Sequence, residues 1–232
     1  MPVFFAFDSK VAPYRIVHQQ SVKQGEQIEY RVHYGFINAG EAILKTDKKL
    51  HRKNKRPCYK IDIYGKTTGL FDMVTTVRDN WGTYLDTAAF VPHMFYQSIK
   101  EGNYMKKEVI EFDQINHVAM VNRINKKDST LIKKDRFNIP ANVQDIVSGY
   151  YYMRTFDYDT MKNNQIFTIS GFFDDTTYHV KVKFLGREKL KTKVGTYKTF
   201  IISPIMPKTR FSEVPIRLRR GFPMTKDEYP LR

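Results

Sequence analysis

Strict alternation of apolar and polar residues is the feature that most restricts what this chain can fold into. Ile28, Tyr30, Val32, Tyr34 and Phe36 are interleaved with Glu29, Arg31 and His33. Tyr178, Val180, Val182 and Phe184 are interleaved with His179, Lys181 and Lys183. Tyr59, Ile61 and Ile63 repeat the pattern against Lys60 and Asp62. A period of two puts every apolar side chain of such a run on one face of a strand, so these segments read as strands with one buried face and one wet face. Further strand candidates are 74–85, 93–101, 104–113, 116–124, 129–137, 165–172, 197–204 and 214–219.

The links between these runs are short and carry turn formers. Glu101-Gly102-Asn103, Asp113-Gln114-Ile115-Asn116, Asn125-Lys126-Lys127-Asp128, Asp174-Asp175 and Val194-Gly195-Thr196 each separate two β-rich segments. Asn, Asp and Gly accept the left-handed conformations of tight hairpins, so neighbouring strands pair antiparallel in a meander. Ten or so strands in one flat sheet leave bare edges and a large uncovered face. The sheet therefore curls into a barrel or half-barrel. The fold class is mainly β, with one α-helix around 142–155. There Asn142 serves as a cap, Asp145 suits the positive helix end, and Val143, Ile146, Val147, Tyr150, Tyr151 and Arg154 fall on one side. A second short turn is expected over Thr67–Met73.

Composition sets outer bounds. With 41% hydrophobic residues, 17 Phe and 15 Tyr in 232 residues, the chain can bury a substantial core as a single domain. It holds no apolar run of about 18 residues, so no membrane-spanning helix is expected. The net charge of +15 is spread along the chain and favours anionic partners without specifying one. Cys58 is the single cysteine, which excludes an internal disulfide and a cysteine-based zinc site, and its apolar neighbours point to a buried inert thiol. Met1–Phe7 reads MPVFFAF, an apolar stub lacking a basic flank. Residues 1–24 are read as an N-terminal arm or a signal remnant, and 25–232 as one β domain.

Several fragments, taken in order, resemble a bacterial family catalogued as domain of unknown function 3108. They are GEQIEYRVHYGFINAGEAIL (25–44), KTTGLF (66–71), Val77-Arg78-Asp79 with Tyr84-Leu85-Asp86 and Pro92, the helix QDIVSGYYYMRT (144–155), and GREKLKTKVGTYKTFIISP (186–204). Each is weak alone, and their order and spacing carry the likeness from about Gly25 to Pro204. The resemblance implies an all-β fold and an exported protein, periplasmic or of the cell envelope, with no transferable catalytic residue. It departs at the end, where Phe222–Pro230 stands in place of the family's closing strand, so a last strand reads as missing or altered.

Chemistry-bearing constellations are sparse. Six histidines lack H-x-x-x-H or H-E-x-x-H spacing, and no G-x-S-x-G, P-loop or catalytic-cysteine pattern occurs, so no catalytic residue, metal site or cofactor is assigned. Asp79, Asp86 and Asp145 are the acids within the family-like fragments, and two of them on one face would permit glycoside hydrolysis. Among the aromatics, which include Tyr96, Tyr104 and Tyr152, the ligand-binding candidates are Phe71, Trp81, Tyr150 and Tyr151, with Arg154 fixing orientation. Three consecutive tyrosines cannot share one helix face, so one of Tyr150, Tyr151 and Tyr152 points outward or toward a cavity mouth. The reading is a non-enzymatic binding or scaffolding domain of the envelope, for a lipid-like or glycan ligand or a protein partner. A carbohydrate hydrolase built on paired aspartates and a basic nucleic-acid binder are the alternatives.

Overall fold

The computed structural model describes residues 14–19, 21–34, 37–192, 195–205 and 216–219. Eight strands follow one another in a meander: β1 (Gln27–Tyr34), β2 (Ile37–Lys53), β3 (Arg56–Thr67), β4 (Arg78–Asp86), β5 (Pro92–Glu101), β6 (Tyr104–Asp113), β7 (Val118–Ile124) and β8 (Leu131–Asn138). Each pairs antiparallel with the next, and the sheet is ordered as the chain is, with β1 and β8 at its edges. A short helix, α1 (Gly69–Val74), interrupts the β3–β4 connection. After β8 the chain forms α2 (Ile146–Met153) and then a second sheet from β9 (Ile166–Phe173), β10 (Thr176–Thr192), β11 (Gly195–Ile205) and β12 (Ile216–Arg219).

The expected meander is present, and the sheet is open. One core cluster joins Ile28 of β1, Leu44 of β2, Ile61 of β3, Leu85 of β4, Phe95 of β5, Ile110 of β6 and Val121 of β7 to Val147 and Tyr151 of α2. Phe137 of β8 packs against the same cluster. Eight strands laid flat would span about 35 Å, and a helix is about 10 Å across, so one helix reaches both edges only if the sheet wraps around it. Phe172 of β9 closes the packing, edge-on to Phe112 at 6.3 Å and 5.5 Å from Phe137. The molecule is thus a half-barrel whose inner face packs against α2 and one corner of the second sheet. That second sheet has a core of its own, in which Tyr158 stacks on Phe200 at 5.1 Å beside Val182, Phe184 and Ile202.

The helix is shorter than the sequence pattern suggests, and its cap is Asp145 rather than Asn142. Asn142 has φ 58 and lies outside the helix. The residues that follow it are held extended by β9: Gln144 N–H donates to Ser170 O at 2.8 Å, and Phe172 N–H donates to Gln144 O at 2.8 Å. The helix starts once that pairing ends. Asp145 then accepts from Val147 N and Ser148 N, both at 2.8 Å, while Ser148 Oγ accepts from Asp145 N at 2.8 Å. This is a reciprocal capping box with aspartate and serine in the two roles.

The described part of the N-terminal arm lies against the half-barrel. Val17 N–H donates to Ala88 O at 2.8 Å, and Arg15 donates to Ala89 O at 2.8 Å and Phe90 O at 2.9 Å. Met1–Phe7 and the closing segment Phe222–Pro230, where a last strand is expected to be missing or altered, lie outside the described residues. The basic run IRLR (216–219) does form a strand, pairing with 199–202 of β11.

Candidate functional site

Strand register lines up one row of side chains across the inner face. Ile28 is opposite Leu44, Leu44 opposite Ile63, Ile63 opposite Trp81, Trp81 opposite Gln97, Gln97 opposite Glu108 and Glu108 opposite Arg123. The row is apolar from β1 to β4 and polar from β5 to β7. Trp81 stands at the changeover, half-buried, with its indole across Gly65, where an added Cβ would meet Cζ3 at 3.3 Å.

The helix supplies the facing aromatics. Tyr150 and Tyr30 share a hydrogen bond between hydroxyls at 2.8 Å, joining α2 to β1. Tyr150 meets Tyr151 edge-on at 5.5 Å. Tyr30 has the same strand parity as buried Ile28, yet remains 41% exposed, so the inner face is not fully covered there. Tyr151 is completely buried, and burial pushes its phenol up. Arg154, at the C-terminal end of α2, donates to Glu26 at 3.0 and 2.6 Å and to Ser21 O, and lies 5.0 Å over the Tyr151 ring. Burial opposes its charge, but the Glu26 carboxylate more than offsets that and raises the guanidinium pKa. Tyr152 points to the N-terminal arm, with Arg15 stacked on it at 4.1 Å.

Trp81, Tyr150, Tyr151 and Arg154 are therefore brought to one face, while Phe71 lies elsewhere, in α1. Four participants escape the sequence reading. Gln97 Nε2 donates to Glu108 Oε1 at 2.9 Å, and both residues are 2% exposed. Arg123 lies 3.8 Å from Glu108 and also pairs with Asp135 and Asp175. Lys106 joins Glu108 at 3.5 Å and Asp174 at 2.8 Å, so the β9–β10 turn is clamped onto the polar half of the row. The signal for these residues was a polar side chain at an apolar parity: Gln97 is in step with Phe95, and Glu108 with Ile110 and Phe112.

The three aspartates do not form a pair facing one cleft. Asp79 and Asp86 lie seven residues apart in β4, about 23 Å along the strand. Asp79 accepts from Lys100 N at 2.9 Å. Asp86 is fully buried and accepts from Arg56, from Ala88 N at 2.8 Å and Ala89 N at 2.7 Å, with His93 Nε2 at 3.0 Å. Burial opposes its charge, but His93, Arg56 and the two amides hold the carboxyl well below the usual range. Asp145 caps α2 and accepts from Thr83 Oγ1 at 2.6 Å, and burial pushes it up to about 6 against the pull of those donors. Cys58 is fully buried, and burial pushes its thiol up to about 11, which removes it as a nucleophile at neutral pH. Among the described residues, no three His, Cys, Asp or Glu side chains gather to hold a metal ion.

The outer face carries two open depressions of about 280 and 340 Å³ that meet at Tyr64. Lys66, Arg78 and Glu41 border the first, and Lys45, Asp62 and Asp47 the second.

A family model described as protein of unknown function (DUF3108) matches residues 29–227. The chain belongs to this family. The DUF3108 domain is also similar in fold to a solved structure, a β-barrel-like protein of domain of unknown function DUF1849 from Brucella abortus. The two are 9% identical with a TM-score of 0.52, over 90% of this chain and 89% of the other. That likeness speaks to architecture alone. No curated protein matches the chain.

Proposed function

We propose that this DUF3108 domain is a non-enzymatic binding domain of an exported, envelope-located protein, taking a lipid-like or glycan-like ligand on the uncovered part of its inner face. The observation that carries the reading is Tyr30, which keeps 41% exposure although Ile28, beside it on the same face, is buried. Its hydroxyl is already oriented by Tyr150, and Trp81 packs against the same core. Aromatic rings beside fixed hydroxyls suit a ligand with an apolar body and a polar edge, whether an acyl chain with its headgroup or a sugar ring. The separated and fully engaged aspartates give hydrolysis no support, and the scattered positive charge by itself favours no nucleic-acid groove.

Trp81 is the sole tryptophan, so its fluorescence reports on this face directly. Titration with monomeric lysophosphatidylglycerol and with a chito-oligosaccharide is expected to shift Trp81 emission saturably for one of them. The Tyr30→Ala variant should weaken that response by roughly tenfold, the loss of one oriented aromatic contact. If neither probe moves the emission, and native mass spectrometry of envelope-derived protein finds no ligand, the binding reading is wrong.

A further inference from the structure

Alternate connections of a meander lie at one end of the sheet, and here they form a contiguous surface. Gly102 N–H donates to Thr76 O at 2.9 Å, tying the β5–β6 turn to the α1 connection. Lys126 donates to Ile99 O, and Lys107 donates to Ser129 Oγ at 2.9 Å, tying the β7–β8 turn to the β5–β6 hairpin.

That end is apolar at its tips. On α1, Leu70 is 64% exposed, Met73 83% and Val74 85%, the last two being the highest values among the exposed large hydrophobic residues. On β6, Tyr104 and Met105 are both exposed, and on β8 so are Leu131 and Ile132. Consecutive strand residues point to opposite faces, so two exposed neighbours mean that these hairpin ends project beyond the packed sheet. At the opposite end, the three sheet turns contribute only Ile115 as an exposed large apolar side chain among the described residues.

The tips are held in place rather than loose. Arg78 grips Asp72 through two bonds, at 2.7 and 2.9 Å, and Thr67 Oγ1 donates to Asp72 at 2.6 Å, fixing α1 with its apolar side outward. Lysines stand beside them. Lys100 and Lys127 are exposed at this end, Lys126 lies among them, and no carboxylate pairs with Lys100 or Lys127 among the described residues, although Glu101 and Asp128 are exposed in the same two turns.

We infer that this end of the half-barrel docks on an anionic lipid surface, inserting the side chains of α1 and of the β5–β6 and β7–β8 hairpins while the lysines meet the headgroups. Apolar tips flanked by lysines that outnumber the carboxylates of the same turns match the layering of such a surface, with negative headgroups above an acyl boundary. A protein partner of matching chemistry would need its own acidic rim, whereas the anionic headgroup layer supplies one everywhere. The inference uses a different surface from the inner-face ligand site and stands or falls separately from it.

The test is flotation of the full chain with vesicles of phosphatidylcholine alone and of phosphatidylcholine containing about one third phosphatidylglycerol. Binding is expected on the anionic vesicles, much weaker on the neutral ones, and reduced by added salt. Met73→Ser with Val74→Ser should weaken it by roughly tenfold or more, as expected from withdrawing two apolar side chains. Lys100→Glu with Lys127→Glu should do the same without touching the apolar tips. Both pairs change exposed side chains, and unchanged thermal melting will show that the fold is intact. Absence of binding to anionic vesicles, or binding that both variants retain in full, overturns the inference. So does sedimentation showing that the wild-type chain is a dimer which the Met73/Val74 variant dissolves, since the tips would then cover one another. Trp81 emission on lysophosphatidylglycerol, read on the same variants, separates loss of docking from loss of the inner-face site.

Discussion

Replacing Arg154 by methionine strands a buried carboxylate. The side chains of Arg154 and Glu26 are 6% and 1% exposed, so neither charge has water to turn to when its partner is removed. The pair also joins three parts of the chain: the C-terminal end of α2, the approach to β1 at Glu26, and the N-terminal arm through Ser21 O. Breaking a buried pair of this kind costs about 3–5 kcal/mol, most of it the penalty of the orphaned charge. In a domain of this size that corresponds to a drop in melting temperature of roughly 6–20 °C. The double variant Glu26→Leu/Arg154→Met removes both charges and keeps comparable volume, so it should return to within about 1 kcal/mol of the parent. Urea unfolding followed by Trp81 emission, applied to Arg154→Met, to Glu26→Leu and to the double variant, closes a double-mutant cycle. The reasoning fails if Arg154→Met alone costs less than about 1 kcal/mol, or if the double variant is as unstable as the two single changes added together.

Asp145 should give stability a measurable slope with pH. Its folded carboxyl titrates at about 6, against about 3.9 for an ordinary aspartate in the unfolded chain, so the folded form holds a proton that the unfolded form has released. Its contribution is fully present below about pH 4 and is lost as pH rises through about 6, a fall of at most about 3 kcal/mol. Asp145→Asn keeps a capping side chain and should flatten the slope in urea titrations across that window, and equal slopes in the two proteins would refute the assignment. Gly82→Ala tests the outer face, because its Cβ would lie 2.1 Å from Tyr96 Cζ and 2.3 Å from its hydroxyl. Tyr96 would have to swing off the strand and give up its hydrogen bond to Asp62. The expected cost is about 1–3 kcal/mol in urea unfolding, largely relieved when Tyr96→Ala is added, and a neutral Gly82→Ala would show that the ring does not lie there.

Much of the architecture was written locally. Period-two runs with Asp, Asn and Gly between them fixed the number, direction and neighbour order of β5, β6, β7 and β8, because hairpin pairing is a nearest-neighbour property of the chain. The Asp174-Asp175 turn reads the same way, and both residues adopt the positive φ that such a turn needs, 46 and 60. β2 was harder to read: it extends over 17 residues through a bulge between Thr46 and Leu50, where the alternation loses step. The helix at 146–153 was visible in its apolar spacing, but its start was not. Whether Asn142 or Asp145 caps it depends on Gln144 pairing with β9, a contact made with residues 26 and 28 positions later.

The candidate site divides along the same line. Sequence alone supplied its aromatic content, the absence of the recognisable catalytic motifs sought, and the fact that Trp81 and Tyr150 belong to elements with a buried side. Tertiary structure decided which of those residues meet. It placed Arg154 against Glu26, 128 positions away, set Tyr150 on Tyr30, and left Phe71 on a helix outside the inner face. It also kept Asp79, Asp86 and Asp145 from sharing a cleft. The physical reason is range: strand parity and turn chemistry act over a few residues, whereas the curl of an eight-stranded sheet around a helix brings together side chains that no local pattern links.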